Sequence, residues 1–113
     1  MIMKSGPHWS MQRIKDLAKE GRLFIQRTRA LDFFATLSEA LQTARTTLLD
    51  LEISNFAHTV KMTYDVADVY GVVVEGEGWY LKLTIDEQEP EVVVISFHPL
   101  ERPLKTRGGI LKP

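Results

Sequence analysis

The chain has 113 residues, carries a formal net charge of −1 and contains no cysteine. That length suits a single domain with its own core. The missing thiols exclude a disulfide framework, a thiolate zinc site and a cysteine nucleophile. The near-neutral average argues against nucleic-acid binding, but it sums unlike segments: residues 4–29 hold seven Lys/Arg against Asp16 and Glu20, residues 65–91 hold eight acids against Lys82, and basic residues return after His98.

The opening stretch, MIMKSGPHWS, lacks the apolar core of a signal peptide, and no apolar run reaches membrane-spanning length. The expected location is the cytoplasm. Ser10 reads as a helix N-cap, with Met11, Ile14, Leu17 and Ala18 recurring at helical spacing and Gly21 closing the helix. The following RLFIQRTR is a short strand or an extended link. A second helical pattern covers about 30–50 through Leu31, Phe34, Leu37, Leu41, Ala44 and Leu48, with Ser38 as a second possible start.

After Asp50 the apolar period changes from 3.6 to 2. Phe56, His58, Val60 and Met62 alternate with Ala57, Thr59 and Lys61, and three strand-like runs follow: Val66–Val74, Trp79–Asp86 and Glu91–His98. Gly76-Glu77 suits a type II′ hairpin turn between the first two runs. Helices first and strands second predict an α+β domain over residues 1–98, with N-terminal helices packed on one face of a C-terminal antiparallel β-sheet. Pro99 and Pro103 stop the last strand, so residues 99–113 are expected to form an extended basic arm, its role open between clamping RNA, contacting a partner protein and packing over the sheet edge.

Strand alternation assigns side chains to faces. Trp79, Leu81, Leu83 and Ile85 point to the core, matched by Val93, Ile95 and Phe97. Opposing Ile85 with Val93 and Leu81 with Phe97 sets Tyr80 directly across from His98, on a polar face shared with Lys82 and Ser96. The Gly76-Glu77 turn further sets Gly71 opposite Lys82, leaving an opening where a ligand backbone can approach. Histidine titrates near neutrality, tyrosine donates or accepts a proton, and lysine supplies fixed positive charge. Together they suit metal-free RNA cleavage, in which a base deprotonates the ribose 2′-OH and an acid protonates the departing 5′ oxygen. The same residues also suit an ordinary solvated sheet face. His8, His58 and His98 have no short spacing, so neither a metal site nor a cofactor is expected. Gly76-Glu77-Gly78 lacks the helix and lysine of a phosphate loop, and Trp9 and Trp79 read as core anchors.

The ordered set Pro7-His8, Ile14-Lys15-x-Leu17 closing at Gly21, Thr28-Arg29, Asn55-Phe56, Asp68-Val69-Tyr70, Tyr80-Leu81-Lys82 and Ser96-Phe97 resembles the MqsR toxin family over residues 7–98. These are RelE-like ribonucleases of bacterial toxin–antitoxin pairs. The resemblance implies a RelE-like fold and an mRNA endoribonuclease that uses no metal, does not require the ribosome, and is held inactive in a hetero-oligomer by a cognate antitoxin. Tyr80 matches the family's active-site tyrosine. His98 and His58 fall where the family has lysines, and Ala67 replaces a glutamine. On this resemblance His58 and His98 share the acid and base roles and Tyr80 orients the scissile phosphate, while Arg29, Lys61 and Lys82 contact RNA. The alternative is a binding module for RNA or protein that kept the fold and lost the chemistry.

Overall fold

The computed structural model describes residues 6–26 and 32–113. Helix α1 (Met11–Lys19) starts where the Ser10 hydroxyl accepts from the Arg13 amide. It ends in a Schellman turn, with the Gly21 amide donating to Ala18 O and the Arg22 amide to Leu17 O. That turn needs a left-handed residue, and Gly21 supplies it with φ 76°. Ile14, Leu17 and Ala18 form the buried stripe of α1. The RLFIQRTR segment contributes a strand, β1 (Leu23–Ile25).

Helix α2 (Leu37–Leu49) is capped by Thr36, whose hydroxyl accepts from the Glu39 amide at 3.1 Å. The periodicity had extended this helix back to about residue 30. Phe34 instead lies outside the helix, its ring 5.6 Å from Trp79 and 5.9 Å from Phe97. Leu31 lies outside the described residues. Ala40 and Ala44 are fully buried, and Arg45 donates to Ala18 O at 2.9 Å and Lys19 O at 3.1 Å. One side chain of α2 thereby bonds two carbonyls in the last turn of α1 and ties the two helices together.

A short 3₁₀ turn (Ile53–Asn55) leads into β2 (Phe56–Lys61), followed by β3 (Val66–Val74), β4 (Glu77–Asp86) and β5 (Glu91–Pro99). The order across the sheet is β1-β5-β4-β3-β2. The architecture is α+β, as expected, but the sheet is mixed rather than purely antiparallel, because β1 runs parallel to β5 along Val92–Val94. The core lies between the helices and the sheet face carrying Tyr70, Val72, Trp79, Leu81, Leu83, Ile85 and Phe97.

Asp68 stands on that core face, fully buried, and sequence patterning does not single it out. Its carboxylate accepts from the His8 amide at 3.0 Å, the Trp9 amide at 2.8 Å and the Thr59 hydroxyl at 2.7 Å. The Trp9 indole N–H donates to Val66 O at 2.8 Å beside them. The segment entering α1 is therefore pinned to β3, and a buried charge is tolerated because three donors face it. Asp68→Ala should lower unfolding stability by about 2–4 kcal/mol in denaturant melts, since hydrogen bonds to an ionised group contribute roughly 1.5–3 kcal/mol each and the freed amides stay partly buried.

Tyr70 is also fully buried, and its hydroxyl makes no hydrogen bond within the described residues. Burial first, and the Asp68 charge second, push its phenol far above the ordinary value of 10.0. The folded state holds this proton more tightly than the unfolded chain. The resulting stability is complete below pH about 10 and is lost as the pH rises above that value. Tyr70→Phe should leave the melting temperature at pH 7 unchanged or raised, and should flatten its decline above pH 10.

Candidate active site

Two departures from plain alternation decide which side chains meet on the open face of the sheet. In β2 the register slips between Phe56 and His58, so Phe56 opposes Tyr70 while His58 opposes Val69. Ala57 is the extra residue of a bulge. Phe56 goes to the core, and His58 goes to the opposite face, which it would not share under the expected alternation. In β5 a second slip follows Lys82↔Ser96, and the next pair is Leu83↔Val94. The core positions of β5 are therefore Val92, Val94 and Phe97, and the expected Ile85–Val93 pairing is replaced by Ile85↔Val92.

Beyond that bulge the expected pairs stand: Leu81↔Phe97 and Tyr80↔His98. The Tyr80 and His98 rings stack with centroids 5.2 Å apart and planes 14° from parallel. His98 Nδ1 lies 2.8 Å from the Pro99 carbonyl oxygen. A carbonyl only accepts, so Nδ1 carries the proton and Nε2 is left as the basic atom of the neutral ring. Burial raises the Tyr80 phenol above 10.0, so it stays protonated through neutral pH. Lys82 and Ser96 form the neighbouring pair on the same face.

The β3–β4 turn differs from the expected type II′. Val74 pairs with Glu77, and the turn residues Glu75 and Gly76 both take positive φ, 50° and 81°. Two left-handed residues define type I′, whose twist matches that of the strands it joins. The shift places Gly71 opposite Tyr80, and Val69 rather than Gly71 opposite Lys82.

The opening expected at Gly71 is filled by the protein itself. Residues 99–113 are not an extended arm. The Leu100 amide donates to Gly78 O at 2.9 Å, and β6 (Leu104–Thr106) and β7 (Gly109–Leu111) form a hairpin lying on the open face. A Cβ on Gly71 would sit 2.9 Å from Thr106 and 3.1 Å from the Leu104 and Leu111 methyls; one on Gly78 would collide with Lys112 O and Leu100. The two glycines make room for the hairpin rather than for a ligand. Arg107 and Gly108 secure it by donating their amides to Phe56 O and Ser54 O, both at 2.9 Å.

What remains open is a cleft of about 510 Å³ between Tyr80, Lys82, Ser96 and His98 on the sheet and residues 100–104 of the returning chain, including Glu101 and Arg102. Of the residues expected at the site, the structure brings together Tyr80, His98 and Lys82. His58 shares their face, in the row His58–Val69–Lys82–Ser96, but stands outside the cleft. Lys61 opposes Val66 and falls on the alternation of the other face. Arg29 lies outside the described residues. Arg102 belongs to the basic tail visible in the sequence but was not among the expected site residues; Gly108-Gly109 is the turn signal that folds the tail back. Among the described residues no three His, Asp or Glu side chains are grouped to hold a metal, and no helix is long and apolar enough to cross a membrane.

No family model and no curated protein matches this sequence. The site stands on its geometry. If the glycines exist for the hairpin, Gly71→Val should release the tail while the sheet survives. The expected cost is roughly 1–3 kcal/mol of overpacking, with fast hydrogen exchange and proteolysis confined to residues 100–113. Unchanged protection of the hairpin would refute that role.

Proposed function

We propose that the protein is a metal-independent endoribonuclease of RelE-like architecture, acting as the toxin of a toxin–antitoxin pair. The observation that carries this reading is the stacked Tyr80–His98 pair, with His98 Nδ1 bonded to Pro99 O and Nε2 free, beside Lys82 in a cleft wide enough for a nucleotide. The order of sequence motifs adds to it.

In the proposed reaction His98 Nε2 takes the proton of a ribose 2′-OH. O2′ bonds to the adjacent phosphorus, the P–O5′ bond breaks, and O5′ departs with a proton from the Tyr80 phenol. The products are a 2′,3′-cyclic phosphate and a 5′-hydroxyl, and the proton held by His98 returns to Tyr80 through solvent. Lys82 and Arg102 offset the charge that grows on the phosphorane. His58, two strands beyond the cleft on the same face, lies along the path of the RNA rather than at the scissile phosphate. That is a narrower part than the acid or base role the resemblance implies for it.

The test is cleavage of a long single-stranded RNA by wild type, Tyr80→Phe and His98→Ala in the presence of EDTA. Acid–base groups contribute about 10²–10⁴-fold, so each variant should lose at least about a hundredfold in rate while melting as wild type does. Wild type that binds RNA without cutting it would move the protein to the degenerate binding module. Variants that cut as fast as wild type would remove the chemistry from this cleft.

A further inference from the structure

Helix α2 and the end of β3 form a second concave surface that the cleavage reading does not use. β2 pairs with β3 only up to Phe56↔Tyr70, after which the chain leads back into the 3₁₀ turn. β3 continues to Val74, paired on its other side with β4. Along Gly71–Val74 one edge of β3 therefore has no strand beside it among the described residues. Alternate residues of a strand direct their N–H and C=O groups to opposite neighbours, so half of these four residues present unpaired backbone groups at that edge.

The edge is flanked rather than bare. Helix α2 runs beside it and encloses a groove of about 540 Å³, with Val72–Val74 on one wall and Thr43, Thr46 and Asp50 among the helix residues on the other. Residues 39, 42–43, 46–47 and 50 of α2 line it at helical spacing, over about 16 Å of helix. Three acids, Glu39, Asp50 and Glu75, face this groove, and among the described residues no Lys or Arg lines it. On the open-face side Val73 is 62% and Ile110 67% exposed, and both border a shallow hollow above Gly71. A free strand edge, an acidic wall and an apolar shoulder occur together.

We infer that the β3 edge beside α2 docks an extended peptide segment of a partner protein by strand addition, the segment carrying Lys or Arg toward α2 and apolar side chains toward Val73 and Ile110. Strand addition uses main-chain hydrogen bonds for affinity and alternate side chains for specificity. An incoming strand places successive side chains on opposite faces, which matches one acidic wall and one apolar shoulder. A second copy of this chain is a poor occupant. Pairing two such edges would set Glu39, Asp50 and Glu75 of each copy against the same acids of the other, and like charges so placed repel. An edge left open is also a liability for aggregation, which gives the surface a reason to be covered.

The probe is a labelled peptide of alternating lysine and valine, about eight residues long to exceed the free edge, titrated into the full chain. Two comparison peptides replace lysine by glutamate or methylate alternate backbone nitrogens. The lysine peptide should bind at least about tenfold more tightly than either, and should slow hydrogen exchange at edge-directed amides within Gly71–Val74. The variant Glu39→Lys/Asp50→Lys/Glu75→Lys, all at exposed positions, should lose about tenfold in affinity with an unchanged melting temperature. RNA cleavage by this variant should match wild type, so failure of the docking proposal and failure of the cleavage reading are separable. Equal binding of the N-methylated peptide would reduce the effect to nonspecific charge attraction and overturn the proposal. So would unaltered exchange along β3, or a concentration-dependent dimer of wild type that the triple variant does not form.

Discussion

Side-chain alternation along a strand has a period of two, so one extra residue sends everything beyond it to the other face. This protein makes that reversal twice, and its open face depends on both. The bulge at Ala57 keeps Phe56 against Tyr70 in the core while bringing His58 to the side of Lys82. The bulge at Ile95 lets Val92 and Val94 serve the core at one end of β5 while Phe97 serves it at the other. Ser96 and His98 are thereby held on the open face, and His98 is set opposite Tyr80. Neither reversal adds a contact of its own; each changes which contacts are possible.

The open face is polar where it forms the cleft and apolar where it accepts the hairpin. Gly71 and Gly78 divide it. Both positions are buried although they carry no side chain, because Leu100, Leu104, Thr106 and Leu111 fill the space above them. That packing covers part of the sheet surface and simultaneously raises the second wall of the cleft, since residues 100–104 must cross from β5 to reach the hairpin. Arg102 reaches the cleft lining on this same segment of chain.

The parts of this arrangement that could be read from sequence are those in which local pattern and tertiary structure agree. The Ser10 cap, the Gly21 stop and the strands Val66–Val74 and Glu91–His98 rest on neighbouring residues alone, and they appear within a residue of expectation. The Tyr80–His98 pairing was legible because Leu81 and Phe97 fix it from the core side. Val92-Val93-Val94-Ile95 is apolar at every position, so alternation carries no information there and the bulge is invisible. Ala57 is too small and neutral to choose a face. Asp68 looked like one more acid of an acidic middle segment, because its three donors come from Thr59 and from residues 8 and 9, sixty positions away. The tail was misjudged through its prolines: they end regular pairing along one edge, yet they leave the chain free to return over the sheet.

The charge split of the sequence takes on meaning once these elements are in place. Glu39, Asp50 and Glu75 come from α2 and the β3–β4 turn and gather at the free edge of β3. Lys82 and Arg102 come from β4 and the returning tail and meet, with Glu101, around Tyr80 and His98. Cationic and anionic side chains are therefore gathered at different places on a protein whose total charge is −1, as the two proposed ligands require. The hairpin adjoins both surfaces: Leu104 lines the cleft, while Ile110 and Val73 border the groove shoulder. A strand added at β3 as proposed would lie beside Ile110 of the same hairpin whose first residue, Leu104, lines the cleft.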